Sequence, residues 1–341
     1  METSPLTASE IRARITAAAK DLGIDLIGFG AVQDQDQERE RLFEWLARGY
    51  QASQEWMARD AERRADVRRI LPSARTVISI AVNYKTSESP CEDCGALKVS
   101  RYAWGKDYHL VLEEKLEKLC DVLTEIAPDE QYKSYVDTGP IMEKAWAQRA
   151  GLGWIGKNTN LISRNYGSWI FIGEIITTLA LPPDQPHRDF CGTCTRCLDA
   201  CPTDAFPEPY VLDSNKCISH WTIEHRGQFP EGISDDFDGW IFGCDICQDV
   251  CPWNRFGQPT TEPEFAARHD MICPPEDRWL SLSDAEFRRE FADSAVKRAK
   301  RDGLARNIQS QREDPLESIL KSIEWRPIED LEDIAIDELE R

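Results

Sequence analysis

CGTCTRCLDACP, residues 191–202, spaces four cysteines as C-x2-C-x2-C-x3-C and follows the last with a proline. Three thiolates two residues apart wrap a tight loop around one face of a 4Fe–4S cubane, and the fourth, before Pro202, is directed to a different cluster. A second group answers the first: Cys217, then GCDICQDVCPWN (Gly243–Asn254), which carries Cys244, Cys247 and Cys251 with Pro252 behind it. It lacks one cysteine of the regular run, and Cys217, 27 residues upstream of Cys244, supplies the missing thiolate. Exchange of the fourth ligands predicts one cluster on Cys191, Cys194, Cys197 and Cys251, and another on Cys201, Cys217, Cys244 and Cys247. Zinc sites usually pair two CxxC units and have no use for this longer run. The segment is expected to be a ferredoxin-like α+β unit with two 4Fe–4S clusters.

Eight of the 12 cysteines are used in this way. Cys91 and Cys94 (CEDC) form a lone CxxC in a polar loop, read as two unengaged thiols, with a third metal or redox site as the alternative. Cys120 lies among apolar neighbours on a helical stretch and reads as core. Cys273 has no evident partner. The N-terminus, METSPLTASEIRAR, shows no apolar h-region, and no stretch reaches the roughly 18 apolar residues of a membrane span, so a cytoplasmic, non-membrane protein is expected.

Upstream of the cysteines, strand and helix patterns alternate. Thr7 and Glu10 have capping-box spacing before a helical run that ends at Gly23. Strands are expected at Asp25–Gly30, Thr76–Tyr84, Tyr132–Val136 and Ser168–Leu179, with helices at Arg39–Arg48, Asp107–Ile126 and Pro140–Ala150. The pattern reads as an α/β domain over residues 1–182. Three prolines in LPPDQPHRD (Leu181–Asp189) mark a linker. The ferredoxin-like unit occupies 183–260, a helical segment 261–310, and an acidic tail 311–341. GLGWIG, with Gly151, Gly153 and Gly156, matches a dinucleotide fingerprint, but it follows a helix rather than a strand and is discounted.

The net charge of −20 argues against a nucleic-acid partner. Its distribution softens that argument. Residues 312–341 hold four basic and eleven acidic side chains, whereas Lys297, Arg298, Lys300, Arg301 and Arg306 cluster just upstream. In YVDTGP, Asp137 stands between a strand and a helix. It reads either as a helix cap or as a carboxylic acid whose pKa burial raises, so that it donates a proton at neutral pH.

The motifs YAWGKDYH, YVDTGP, GLGWIGKNT, CGTCTRCLDACPTDAF, CISHWTIEHRG, GCDICQDVCPWN and KRAKRDGLARN occur in an order that resembles epoxyqueuosine reductase over roughly residues 5–308. The resemblance implies an α/β domain holding cobalamin beside the clusters, and removal of the epoxide oxygen of epoxyqueuosine at the tRNA wobble position. It implies that Asp137 is the proton donor, and that Arg64, Ser100, Asp137, Leu161, Ile172 and Ile218 contact the cobalamin. It further implies that Lys297, Arg298, Lys300, Arg301 and Arg306 face the anticodon stem-loop, and that an external low-potential donor feeds the clusters. Many members carry HEAT-like repeats past the RN motif. Here about 33 residues follow, so the grip on tRNA is expected to differ. Two competing readings are a dehalogenase-type corrinoid reductase, which would be expected to use a tyrosine donor, and a plain electron carrier, which leaves 180 residues without a purpose.

Overall fold

The Thr7 hydroxyl accepts from the Glu10 N–H while the Glu10 carboxylate accepts from the Thr7 N–H, so the expected capping box opens helix α1 (Ala8–Asp21). This computed structural model describes residues 6–34, 36–89 and 97–312, which leaves Cys91, Cys94 and most of the acidic tail outside the described residues. Strand β1 (Leu26–Ala31) follows, then α2 (Asp36–Ala47) and two short helices, α3 (Glu55–Arg59) and α4 (Ala61–Ala65). Next come β2 (Thr76–Asn83), β3 (Lys98–Val99), α5 (Tyr108–Ile126), β4 (Tyr132–Tyr135) and α6 (Glu143–Arg149). A short pair, β5 (Trp154–Ile155) and β6 (Leu161–Ile162), precedes β7 (Ile170–Thr177).

Four of these strands form one sheet in the order β1–β2–β7–β4, and each neighbouring pair is antiparallel. Alternating helices and strands led to the α/β expectation; here the connections bring each strand back against its neighbour, so this half is α+β. The rule that places ligands at the carboxyl ends of parallel strands therefore does not locate the site. Side chains alternate across the pleat. Ile78, Ile80, Val82, Phe171 and Ile175 pack with Ile15 and Ala19 of α1 and with Leu112, Leu116 and Leu119 of α5. Val77 and Ile176 meet Trp146 of α6, and Ala81 and Ile170 meet Ala147. With both faces covered, β2 is buried along its whole length, which explains why apolar residues occupy both of its faces.

Within the cysteine segment, α7 (Arg196–Asp199) and α9 (Ile246–Asp249) each start inside a cysteine run and pack on one another. Helix α8 (Ile218–Ile223) starts just after Cys217, and β8 (Trp240–Phe242) pairs in parallel with β3. The proline-rich stretch is no free linker: Asp184 pairs with Arg12 and accepts from the Phe29 N–H at 3.0 Å. Helices α10 (His269–Ile272), α11 (Glu276–Ser281), α12 (Asp284–Glu290) and α13 (Lys300–Ser310) complete the described chain. Val99 and Trp104, Ile241 and Phe242, and Met271, Trp279, Phe291, Leu304 and Ile308 share one core. Among the described residues no helix is long and apolar enough to cross a membrane.

Candidate active site

Asp137 lies two residues beyond β4. Its φ is 56°, and the Thr138 N–H donates to the Val136 carbonyl at 2.5 Å, which closes a three-residue turn around it. Such γ-turns of positive φ are rare and strained. The helix-cap reading fails, because α6 begins at Glu143 with Met142 in the cap position. The expected Pro140 start falls short because residues 138–142 continue the turn instead.

The Asp137 carboxylate pairs with His109 Nε2 at 3.4 Å. His109 Nδ1 lies 2.8 Å from Asp107, which also caps α5 by accepting from the His109 N–H and pairs with Lys297 Nζ at 2.7 Å. Tyr108 stacks between His109 and Phe171, with centroids at 4.1 and 4.4 Å. Burial disfavours the His109 imidazolium, yet the hydrogen bond to Asp107 and the neighbouring Asp137 carboxylate raise it to about 9. For Asp137 the expected upward shift is not found. Burial pulls that way, but His109, the Tyr108 hydroxyl and Arg298 outweigh it and hold the carboxyl below its ordinary range. Protein surrounds the group, yet 65 % of the side chain is open to the cleft, so water is near and the ion pair decides its charge. At neutral pH the proton resides on His109.

This array opens into a cleft of about 2780 Å³, which Arg64, Ser100, Tyr102, Asp137 and Glu143 help to line. Arg64 is 8 % exposed; its guanidinium donates to the Gly139 carbonyl at 3.1 Å while Nε has no partner. Glu143 Oε1 is likewise buried without a partner, and burial, helped by the Asp137 charge, pushes its carboxyl up to about 8. Two orphaned polar atoms in one wall, opposite in character, suit a large ligand rich in amide donors and acceptors. Leu161 and Ile218 are buried at 3 % and 2 %, and neither they nor Ile172 line the cleft.

The eight cysteine thiols are all free. Cys197 has Cys251, Cys191 and Cys194 as charged neighbours. Cys217 has Cys201, and Cys244 has Cys247 and Cys217. Burial raises these thiols, so thiolates held there need a cationic centre between them, as an iron–sulfur core provides. Cys217, Cys244 and Cys247 line the cleft; no cysteine of the first group does. Asn160 Nδ2 approaches Cys247 Sγ at 3.9 Å, and the Ala205 N–H approaches Cys201 Sγ at 3.4 Å. The cluster loop is bolted to the other half through Asp245, fully buried, which accepts from Ser100 Oγ at 2.5 Å and from the Arg101 N–H at 2.8 Å.

Lys297, Arg298, Lys300 and Arg301 rim the cleft, with Arg298 paired to Glu224 at 2.7 Å. Arg306 does not join them. It is 8 % exposed, donates to the carbonyls of Trp221, His225 and Gly227, and lies 4.1 Å over Phe229. Its place in a basic run misled; its burial makes it a strut. Gly151 sits past the end of α6 at φ 79°, so the discounted fingerprint is a helix terminus. Cys273 is disulfide-bonded. Sequence reasoning missed Asp107, His109 and Glu143 as site residues, although an acid two positions before a histidine at a helix start was a usable signal.

The comparisons agree with this geometry. Residues 64–138 match a family model described as "Epoxyqueuosine reductase QueG, DUF1730", and residues 190–254 match a "4Fe-4S double cluster binding domain". The epoxyqueuosine reductase of Synechocystis sp. is 51% identical over 279 residues, 81% of this chain and 96% of that protein. That of Cellulophaga algicola is 42% identical over 86% of this chain and 95% of its own. A crystal structure of epoxyqueuosine reductase with an epoxyqueuosine-modified tRNA-Tyr stem loop superposes with a TM-score of 0.84 at 33% identity, covering 89% of this chain and 81% of that one. A Bacillus subtilis epoxyqueuosine reductase, solved with its catalytic aspartate loop swung out of the active site, gives 0.82 at 31% over the same shares. Identity this high over nearly the whole of its relatives, with the cysteine groups and the Asp137 cleft in one molecule, places the chain in the epoxyqueuosine reductase family.

Proposed function

We propose that this chain reduces the epoxide of epoxyqueuosine in tRNA to give queuosine, with cobalamin in the cleft and two 4Fe–4S clusters on the eight cysteines. One observation carries the reading: the Asp107–His109–Asp137 array and three cysteines of the second group open into the same cleft. Removal of the epoxide oxygen as water consumes two electrons and two protons. Cobalamin, when bound, supplies a low-potential cobalt centre able to pass electrons to the substrate. Arg64, Ser100, Asp137, Leu161, Ile172 and Ile218 would contact that ligand, with Arg64, Ser100 and Asp137 lining the cleft itself.

The proton path belongs to this chain. Asp107 holds His109 in the charged form, and Asp137, ion-paired with it at 3.4 Å, takes up that proton and passes it to the oxygen as the C–O bond breaks. The donor is therefore the His109–Asp137 pair, with general acid catalysis of this kind contributing about 10²–10⁴-fold. Lys297, Arg298, Lys300 and Arg301 meet the phosphates of the anticodon stem-loop, which positions the RNA without reading its sequence. The reading divides the chain into a cobalamin domain (1–182), a cluster domain (183–260), a basic helical segment (261–310) and the tail. It also assigns the protein to the cytoplasm, with an external low-potential donor.

The test is anaerobic reconstitution with iron, sulfide and cobalamin, followed by turnover on tRNA from cells lacking the final queuosine step. Nucleoside mass spectrometry should show queuosine. Its absence, with iron and cobalamin both bound, would sink the proposal.

A further inference from the structure

Cysteines assigned to the two clusters reach different surfaces. Cys217, Cys244 and Cys247 line the cleft, whereas Cys251 lines a separate shallow depression with Lys85, Arg101, Arg196 and Arg255 and with three acids, Glu88, Asp199 and Asp249, of which Asp249 is paired with Arg101 and Asp199 accepts from the Thr195 hydroxyl. Beside the first group, aromatic rings form a continuous row. Phe256 packs on Trp253 with centroids at 5.7 Å, Trp253 on the buried Trp154 at 4.9 Å, and Trp154 on Phe190 at 5.1 Å. The row is held in place by the Trp253 indole N–H, which donates to the Phe190 carbonyl at 3.3 Å. Its two ends are open to solvent, Phe190 at 38 % and Phe256 at 43 % exposed. Phe190 directly precedes Cys191, and Trp253 stands two residues after Cys251.

An arginine covers each open end. Arg164 lies over Phe190 at 5.3 Å and Arg255 over Phe256 at 4.5 Å. Neither forms an ion pair among the described residues. Asp189, next to Phe190 in sequence, is occupied by the Cys191 N–H and the Tyr210 hydroxyl. Unpaired arginines over exposed rings are unexpected in a chain of net charge −20. At physiological salt the screening length is about 8 Å, so a partner at contact feels this patch rather than the net charge.

We infer that the Phe190–Trp253–Phe256 row, with Arg164 and Arg255, is the docking surface for a small acidic electron-carrier protein that reduces the first cluster. The inference rests on the cluster assignment proposed above. In each encounter the carrier loses one electron and the cluster on Cys191, Cys194, Cys197 and Cys251 gains one; two encounters supply one turnover. A small patch with exposed aromatics and cations suits such a partner, since transient redox interfaces bury less than about 1,200 Å² and depend on charge for their on-rate.

The experiment is anaerobic stopped-flow reduction of the reconstituted holoenzyme by reduced flavodoxin, with dithionite as the small-molecule control. In the doubly charge-reversed protein (Arg164→Glu with Arg255→Glu) the flavodoxin rate constant should fall at least tenfold at low salt and lose its salt dependence. The dithionite rate should stay as in the wild type. An unchanged flavodoxin rate in a protein carrying both clusters overturns the docking surface, as does lost tRNA affinity with electron uptake intact. Wild-type protein that binds no iron overturns the cluster assignment instead. If the double reversal costs iron, Arg255→Gln is read in its place: a severalfold slower flavodoxin rate supports the surface, and a wild-type rate overturns it.

Discussion

His109 is the residue on which the charge of the cleft turns. Raised from 6.5 to about 9, it contributes stability in full below its ordinary value, and that contribution is lost as pH rises through about 9. If its proton is the one delivered, turnover should follow the same limb, holding at neutral pH and declining through about 9. A pH–rate profile of His109→Gln should lose that limb and fall by about 10²-fold or more. Asp137→Asn should keep iron and cobalamin yet lose about 10²–10⁴-fold in rate, read by single-turnover assay; full activity would remove it from the chemistry. Among the basic residues, Lys300→Gln should lower the salt slope of tRNA binding by about 0.7–0.9 if it meets one phosphate, whereas Arg306→Gln should leave that slope alone and lower the melting temperature. The double-cluster segment, matched over residues 190–254, was legible because cluster ligation is local and leaves its spacing in the chain. The pairing of His109 with Asp137 was not, since 28 positions separate them and only the fold brings them together.

At the scale of elements, the site depends on how α6 lies across the sheet. Gly28 of β1 leaves room for it: a Cβ there would stand 2.0 Å from the Ala150 carbonyl oxygen at the end of the helix. Gly28→Ala should therefore destabilise the protein by about 1–3 kcal/mol, measured by thermal unfolding, because backbone must shift to admit the methyl group. Glu143 begins the same helix. Its raised carboxyl favours the fold below its ordinary value of 4.5, and that contribution is lost as pH rises through about 8. Glu143→Gln should flatten that part of the stability profile. Strand positions such as Thr76–Asn83 were readable from β-branched runs, but their direction was not. Whether a strand runs parallel or antiparallel is decided by the path of the intervening chain, and no pattern within β2 or β7 encodes it. The β3–β8 pair was invisible for a related reason: two and three residues are too few to show a period.

Across the whole molecule, the proposed route has electrons entering on one side and being used on the other. Cys247→Ser should halve the iron content, leave the first cluster reducible by dithionite and abolish queuosine formation; retained turnover would show that the second cluster is not on the path. The shared core has a different consequence. Val99 and Trp104 pack with Phe242, Phe291 and Leu304, and Asn307 Nδ2 donates to the carbonyls of Thr222 and Ile241 at 2.8 Å. No part of that interior belongs to one stretch of chain alone, so the segments named for their ligands are not separate folding units. Their unfolding is coupled: heating should release iron and erase the helical signal in a single calorimetric transition, and cutting between residues 183 and 190 should free no fragment that refolds by itself. Durability in this protein is held in common, and a weakness introduced at either end is felt by the cofactors at the other.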